Sequence, residues 1–229
     1  MNKSIRNALL TTIAGAVVFA LPACAESNEW KLDPMHSKAG FEVKHMMIST
    51  VRGDFSKLSG TAQYDGKNVN SIKVDATIDA NSISTGNEDR DKHLRNKDFF
   101  DTEKFSDIKF VSKSSKAAGK GKFKLAGDLT MHGVTKPVTL DVDGPSEQIN
   151  DKHGNWKIGA SATTKVNRKD FGLSYGGLMD NGGAMVGDEI KIVLDIELSK
   201  PVDAKADAAP ADKKAGSKKP EAKKDEAAK

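Results

Sequence analysis

Residues that could carry chemistry crowd into one stretch, TGNEDRDKHLRNKDFFD, from Thr85 to Asp101, where eight charged side chains and a histidine precede two adjacent phenylalanines. That mixture suits acid–base catalysis, a metal site, or a polar lid over an apolar interior. Metal ligation needs histidines and cysteines at close spacing. The five histidines, His36, His45, His93, His132 and His153, form no H-x-H or H-x-x-x-H pair, and Cys24 is the single cysteine. No metal site is expected. A nucleophilic triad fares no better, because no G-x-S-x-G elbow is present and the serines fall in loops or on outward strand positions. Asp98 and Asp101 read as acceptors for backbone N–H groups in a loop and cap. The glycine-rich run GGLMDNGGAMVG, Gly176 to Gly187, lacks the lysine and the strand-to-helix context of a phosphate loop. No catalytic residue is expected, which leaves the polar lid.

A lid needs something to cover, and the rest of the chain supplies it. Apolar and polar residues alternate in FEVKH (Phe41 to His45), SIKVDATID (Ser71 to Asp79), IKFVS (Ile108 to Ser112), KFKLAGDLTM (Lys122 to Met131), PVTLDV (Pro137 to Val142) and EIKIVLDIELS (Glu189 to Ser199). A period of two puts one face of each strand inward and leaves the other wet, the mark of antiparallel sheet. In the last segment Ile190, Ile192, Leu194, Ile196 and Leu198 share a face, and only Val193 breaks the rule. YDGKN (Tyr64 to Asn68) and DGPSEQINDKHGN (Asp143 to Asn155) are turn sequences. Gly60, Gly121, Gly127 and Gly159 sit within strands, where a bulge or sharp coiling is the usual reason. With Trp30 to Leu32 and Val51 to Tyr64 there are about eight strands. That number closes a barrel around side chains or one small ligand.

The Thr85–Asp101 stretch is the single helical signal. Thr85 and Glu88 form a capping-box pattern, and Glu88–Lys92 and Asp91–Arg95 are i,i+4 ion pairs. Leu94 is its lone apolar contact, so Phe99 and Phe100 must anchor it to the barrel as a cap. The inward rows are rich in Phe and Met, which suit a wall that adapts to a flexible ligand. Candidate wall residues are Phe41, Val43, His45, Ile78, Phe110, Phe123, Leu129 and Met131, with Arg168 and Phe171 close by. A basic residue near a cavity mouth can pair an anionic or carbonyl head group. A core filled by its own side chains is the plain alternative.

The ends of the chain read differently. Lys3 and Arg6 precede an apolar run from Ala8 to Leu21, too short to span a bilayer comfortably. Ala23-Cys24-Ala25 then predicts cleavage of residues 1–25 as a signal peptide and a periplasmic location. Leu21-Pro22-Ala23-Cys24 is a weak lipobox, and the proline favours the soluble form over a lipoprotein at Cys24. Residues 201–229 are mostly Ala, Lys, Asp, Glu and Pro, with eight lysines against six acids. They bury too little to fold and are expected to form a disordered tail, suited at most to weak association with the envelope. One domain, residues 26–200, remains. The whole chain carries a formal charge of +4, halved without Lys3 and Arg6, which calls for no nucleic-acid partner.

Seven quoted segments, in order, spell a known pattern: WKLDPMHSKAGFEVKH (30–45), VRGDF (51–55), SIST, RDKHL and DFFD (82–101), IKF (108–110), GDLTMHGVTKPV (127–138), NRKDFGLS (167–174) and VGDEIKI (186–192). Together they resemble the YceI-like family of polyisoprenoid-binding periplasmic proteins. The resemblance implies an all-β, eight-stranded, lipocalin-like antiparallel barrel that holds a long isoprenoid or other amphiphilic lipid (polyprenyl, quinone-like or fatty chain), for transport, storage or sequestration. It implies no enzymatic activity and no cofactor beyond that ligand. On this reading Arg90 and His93 become head-group contacts. The family pattern carries a proline where this chain has Phe105-Ser106-Asp107, and the Ala/Lys tail is no family feature. Two rivals stay open: an enzyme acting on a small amphiphile through His45, His93 and Arg168, or an envelope-tethered module. A homodimer also stays open.

Overall fold

The computed structural model describes residues 28–180 and 182–202. The expected signal segment with Cys24, and the tail beyond residue 202, lie outside the described residues. Among these, twelve strands form a single antiparallel sheet. In chain order they are β1 (Glu29–Leu32), β2 (Lys38–His45), β3 (Ser49–Phe55), β4 (Leu58–Gln63), β5 (Lys73–Asp79), β6 (Ile83–Ser84), β7 (Asp107–Ala117), β8 (Lys122–Met131), β9 (Val134–Asp143), β10 (Ile149–Asn150), β11 (Asn155–Asn167) and β12 (Val186–Pro201). The one α-helix among the described residues, α1, spans Glu88–Arg95 between β6 and β7.

Eight strands close the ring, in the order β11-β9-β8-β7-β5-β4-β1-β12, and β12 returns to β11 through an unbroken register from Asn167↔Glu189 to Asn155↔Pro201. The expected count of eight holds, but with a different roster. Trp30 to Leu32 and Phe41 to His45 follow one another along the same edge of β12, so they fill one place in the barrel. Val51 to Tyr64 likewise breaks at Ser56-Lys57 into β3 and β4. The ring strand that shows no alternating segment in the sequence, only Gly159 as a strand glycine, is β11. Its inward row, Ile158, Ala160, Ala162, Thr164 and Val166, holds two alanines and a threonine among five residues, so its alternation is muted.

Inward rows meet in three layers. Trp30, Ala62 and Ile158 close the floor, with Trp30 wholly buried and its indole N–H donating to the Tyr64 carbonyl at 3.0 Å. Ile72, Phe123, Leu125, Leu140, Val142 and Ala162 form the middle layer. Phe55, Ile83, Ile108, Leu129, Met131, Val166, Phe171 and Leu173 form the upper one. Gly127 faces a bulge in β7 between Ser112 and Ser114, as its place within a strand predicts. A Cβ there would stand 2.7 Å from the Phe110 ring, so the missing side chain is the space that ring occupies. Gly53 makes the same room for Phe41.

The outer face is charged. Cross-strand pairs such as Lys38–Asp54 (2.7 Å), Lys113–Asp128 (2.6 Å) and Lys165–Glu189 (2.8 Å) run around it. Each contributes ~0–1 kcal/mol, and their main effect is to keep the exterior wet. A barrel that crosses a bilayer needs an apolar outer band instead. No helix among the described residues is long and apolar enough to cross one.

Candidate functional site: a lumen with a capped mouth

The barrel encloses a cavity of about 540 Å³, within the ~300–1,000 Å³ range of small-molecule sites. Its wall is built from the inward rows. β2 contributes Phe41 and Val43, β5 Ile78, β7 Phe110, and β8 Phe123, Leu129 and Met131. Small residues at Gly60, Ala62, Ala76, Ala160 and Ala162 hollow the opposing strands. Without them, side chains would fill the interior. Many wall residues of β12, such as Ile190, Ile192 and Leu194, are only partly buried because they face this space. Thr164 is the polar member of the β11 row that lines the cavity, between Ala162 and Val166.

Of the twelve residues expected at a ligand site, Phe171 is the exception, because it does not line the cavity. It is 2% exposed in the upper core layer, in the short 3-10 turn Arg168–Phe171 behind the wall. A sequence-neighbour argument could not tell the two sides of that turn apart.

Arg168 borders the cavity but offers it nothing. It is 4% exposed, and all five guanidinium N–H groups have acceptors. Nε donates to the Gly187 carbonyl (3.0 Å), and Nη1 to the Leu173 and Tyr175 carbonyls (2.5 and 2.6 Å). Nη2 donates to the Val186 carbonyl (3.3 Å) and to Asp188 Oδ1 (3.0 Å). A planar fork of fixed donors suits this task. Arg168 therefore clamps the segment after the 3-10 turn to the start of β12. The head-group role expected for it gives way to that of a brace.

Over the upper layer, β3 finds only two paired residues on its far side, Asp54↔Ser84 and Phe55↔Ile83 of β6. Helix α1 and residues 96–105 follow β6 there. Phe100 meets Phe55 edge-on, ring centroids 5.8 Å apart, and both rings line the cavity. The cap is thus present, but it is fastened differently from the sequence pattern. Asn87, not Thr85, is the N-cap, its side chain accepting from Arg90 N–H at 2.9 Å. Thr85 instead gives its N–H and hydroxyl to the buried Asp91 carboxylate (2.9 and 2.5 Å). Arg95 donates to the Asn81 and Ile83 carbonyls, both at 3.0 Å. The expected i,i+4 ion pairs do not form among the described residues, because Asp91 and Arg95 are spent on the β6 segment. A capping box and a tether use the same residue types, and only tertiary contact separates them.

At the mouth stand His45, Arg90, His93, Tyr175 and Met185, all lining the cavity. His45, Arg90, Tyr175 and Met185 are also exposed, so the cavity reaches the surface here. His93 pairs with Asp98 at 3.3 Å, and its ring lies edge-on to Phe99 and Tyr175 (centroids 5.0 and 4.7 Å). Arg90 Nε and Nη2 donate to Thr85 at 2.7 and 3.1 Å. Its Nη1 has no partner among the described residues, so Arg90 brings cationic N–H donors to the mouth. The turn from β2 to β3 abuts this edge, with Met46 N–H donating to the Met185 carbonyl at 2.8 Å.

One further cluster lies apart from the mouth. Ligand-type atoms of Asp33, His36 and Glu197 fall within 4.8 Å of one another. The Lys157 ammonium sits among them, 2.8 Å from Asp33 Oδ2 and 2.7 Å from Glu197 Oε1. It takes the place a cation would hold. Lys157, first, and then His36 hold the Asp33 carboxyl well below the usual carboxylate range, while Asp33, first, and then Glu197 push the Lys157 ammonium up.

Residues 30–198 match the YceI-like domain family model. The chain belongs to the YceI-like family. A UPF0312 protein of Staphylococcus aureus (strain MSSA476) is 35% identical over 172 residues, covering 75% of this chain and 98% of the relative. Among solved structures, Burkholderia cenocepacia BcnA superposes with a TM-score of 0.61 at 24% identity, covering 72% of this chain and 98% of its own. A domain from Saccharophagus degradans, described as a polyisoprenoid binding domain implicated in plant cell wall breakdown, superposes with a TM-score of 0.56 at 18% identity. It covers 75% of this chain and 98% of its own. At those identities the two structures speak to the fold. The YceI-like match spans both the wall rows and the capping segment.

Proposed function

We propose that this YceI-like chain is a periplasmic binding protein that holds one long isoprenoid or similar amphiphile, for transport, storage or sequestration. Its tail would lie in the lumen and its head at the mouth. The observation that carries the reading is a closed barrel whose lumen is a 540 Å³ apolar cavity opening at a rim that carries Arg90 and His93. An apolar wall binds a hydrocarbon chain by removing it from water, at ~25 cal/mol per Å². Arg90 is the better head-group contact of the two, because His93 is already engaged by Asp98. The Saccharophagus domain, which shares the fold, is described as polyisoprenoid-binding, and this supports the ligand class.

Binding is favoured over chemistry. The enzymatic reading needs His45, His93 and Arg168 to act on a bound amphiphile, and Arg168 has no N–H left to offer. Native mass spectrometry of the purified chain, followed by solvent extraction, tests the reading. A co-purified apolar molecule of one class, released on denaturation, is expected. A chain that stays empty when offered polyprenyl, quinone-like and fatty amphiphiles would end it.

A further inference from the structure

We propose that the rim around the mouth is a membrane-docking edge, which seats the barrel on a lipid bilayer so that a ligand passes between bilayer and lumen without crossing water. This rests on the carrier reading for its purpose, but its own observations are separate.

Met46 (39% exposed), Met47 (58%) and Ile48 (82%) form the turn between β2 and β3. Leu178 (76%) and Met185 (43%) stand beside them on the facing loop. The two pieces are held together by Met46 N–H donating to the Met185 carbonyl at 2.8 Å, and the loop is closed on itself by Met185 N–H to the Gly177 carbonyl at 3.0 Å and by the Leu178–Ala184 bridge. Large exposed apolar side chains gathered in one place mark an interaction site. These ones continue inward without a break, because Met185 and Tyr175 belong both to the rim and to the cavity wall.

The backbone beneath them gives an independent reason. Ile48 N–H closes on the His45 carbonyl at 3.1 Å, and both central residues have positive φ, Met46 at 52° and Met47 at 64°. Such turns ordinarily take Asn-Gly or a similar pair, since Cβ crowds the following carbonyl oxygen there, and only Gly, or Asn and Asp with their local hydrogen bonds, adopt it readily. The β8–β9 hairpin obeys that rule with His132 (φ 52°) and Gly133 (φ 74°). At the mouth the chain holds two methionines in the strained conformation instead, so their apolar tips outweigh the ease of the turn. Strain of this kind gathers at functional sites.

A bilayer fits this edge better than a second copy of the chain. A stable dimer needs roughly 20–30 residues a side on a matching face. The rim offers a handful of protruding side chains on a turn and a loop. Flexible methionines and an isoleucine on protruding tips suit shallow insertion, ~5–10 Å into the headgroup boundary.

The test is flotation of the purified full chain with vesicles of phosphatidylethanolamine and phosphatidylglycerol (3:1). The wild type is compared with Met46→Asn/Met47→Gly, which supplies the residues this turn prefers, and with Leu178→Ser. We expect the wild type to float, and the turn variant to bind at least tenfold more weakly while its thermal midpoint stays equal or rises. Leu178→Ser should lose several-fold. The residues outside the described structure are common to all three chains, so their contribution cancels in the comparison. Equal flotation of wild type and both variants overturns the proposal, as does a wild type that does not float. Dimerisation of the wild type without vesicle binding, lost in the turn variant, overturns it in favour of self-association. Solvent extraction separates the two readings. A chain that carries lipid but ignores vesicles defeats the docking edge alone, and one that floats through the rim but never holds lipid defeats the carrier reading alone.

Discussion

Arg168 and Arg90 show how one residue type takes opposite roles within one site. Arg168 lies at the foot of the mouth with every donor spent, whereas Arg90 stands at the surface with donors left over. Arg168→Lys keeps the charge but loses the fork, leaving buried carbonyls unpaired at ~1–3 kcal/mol each. We expect a loss of about 3 kcal/mol in chemical denaturation. Among folded molecules, affinity should fall equally for lipids with charged heads and for bare hydrocarbons. Arg90→Gln should do the reverse, leaving stability nearly unchanged and weakening only ligands with anionic or carbonyl heads. The two phenylalanines divide likewise. Phe171→Ala removes a fully buried ring and should cost ~3–5 kcal/mol without selective loss of ligand. Phe41 is half-buried on the cavity wall, so Phe41→Ala should cost less, about 2 kcal/mol, and change which chain lengths are retained. Competition with a fluorescent fatty acid would separate these outcomes.

The helix and β6 act as one element, because Asp91 holds Thr85 and Arg95 holds the carbonyls of Asn81 and Ile83. Asp91→Ala frees the Thr85 N–H and hydroxyl and should cost about 1–2 kcal/mol. Its sharper signature is local. Amides of α1 should exchange with solvent faster while those of β11 and β12 keep their protection, and ligand should dissociate faster. Uniform loss of protection would mean that the cap is part of the core. Of this element the chain itself declared a helix and an aromatic anchor, as Glu88–Arg95 and Phe100 bear out. The fastening at Asn87 and Asp91 was hidden, since Thr, Asn and Asp can each cap, turn or tether.

For the whole barrel, the seam that matters in acid is where β1 and its following turn meet β11 and β12 through Asp33, Lys157 and Glu197. The ordinary Asp33 value is 3.8, and Lys157 with His36 depresses it in the folded state. A depressed carboxyl contributes stability that is fully present above the unfolded value and is lost as pH falls through the folded one. We therefore expect the thermal midpoint to drop below pH ~4. Asp33→Asn should lower it at pH 7 and flatten that acid limb, and an unchanged acid limb would place the sensitivity elsewhere. At the other end of the chain, β12 runs to Pro201, one residue past the expected boundary at Lys200, and Val202 N–H donates to the Gly154 carbonyl at 2.9 Å. Truncation after Val202 should leave the midpoint and ligand retention unchanged within error.

Alternation determined that the chain is antiparallel sheet with one wet face, because strand geometry makes side-chain direction a function of residue parity alone. Parity also placed Phe41, Val43, Ile78, Phe110, Phe123, Leu129 and Met131 on the wall, for the same local reason. Only the tertiary structure decided which strands share a place in the ring, that β11 closes it, and that the interior stays open where Gly60, Ala76 and Ala160 line it. Those depend on what lies across the barrel, and sequence distance carries no record of it. It also decided the two arginines. A guanidinium becomes a brace or a ligand according to the carbonyls that surround it, and those come from segments the chain brings together only by folding.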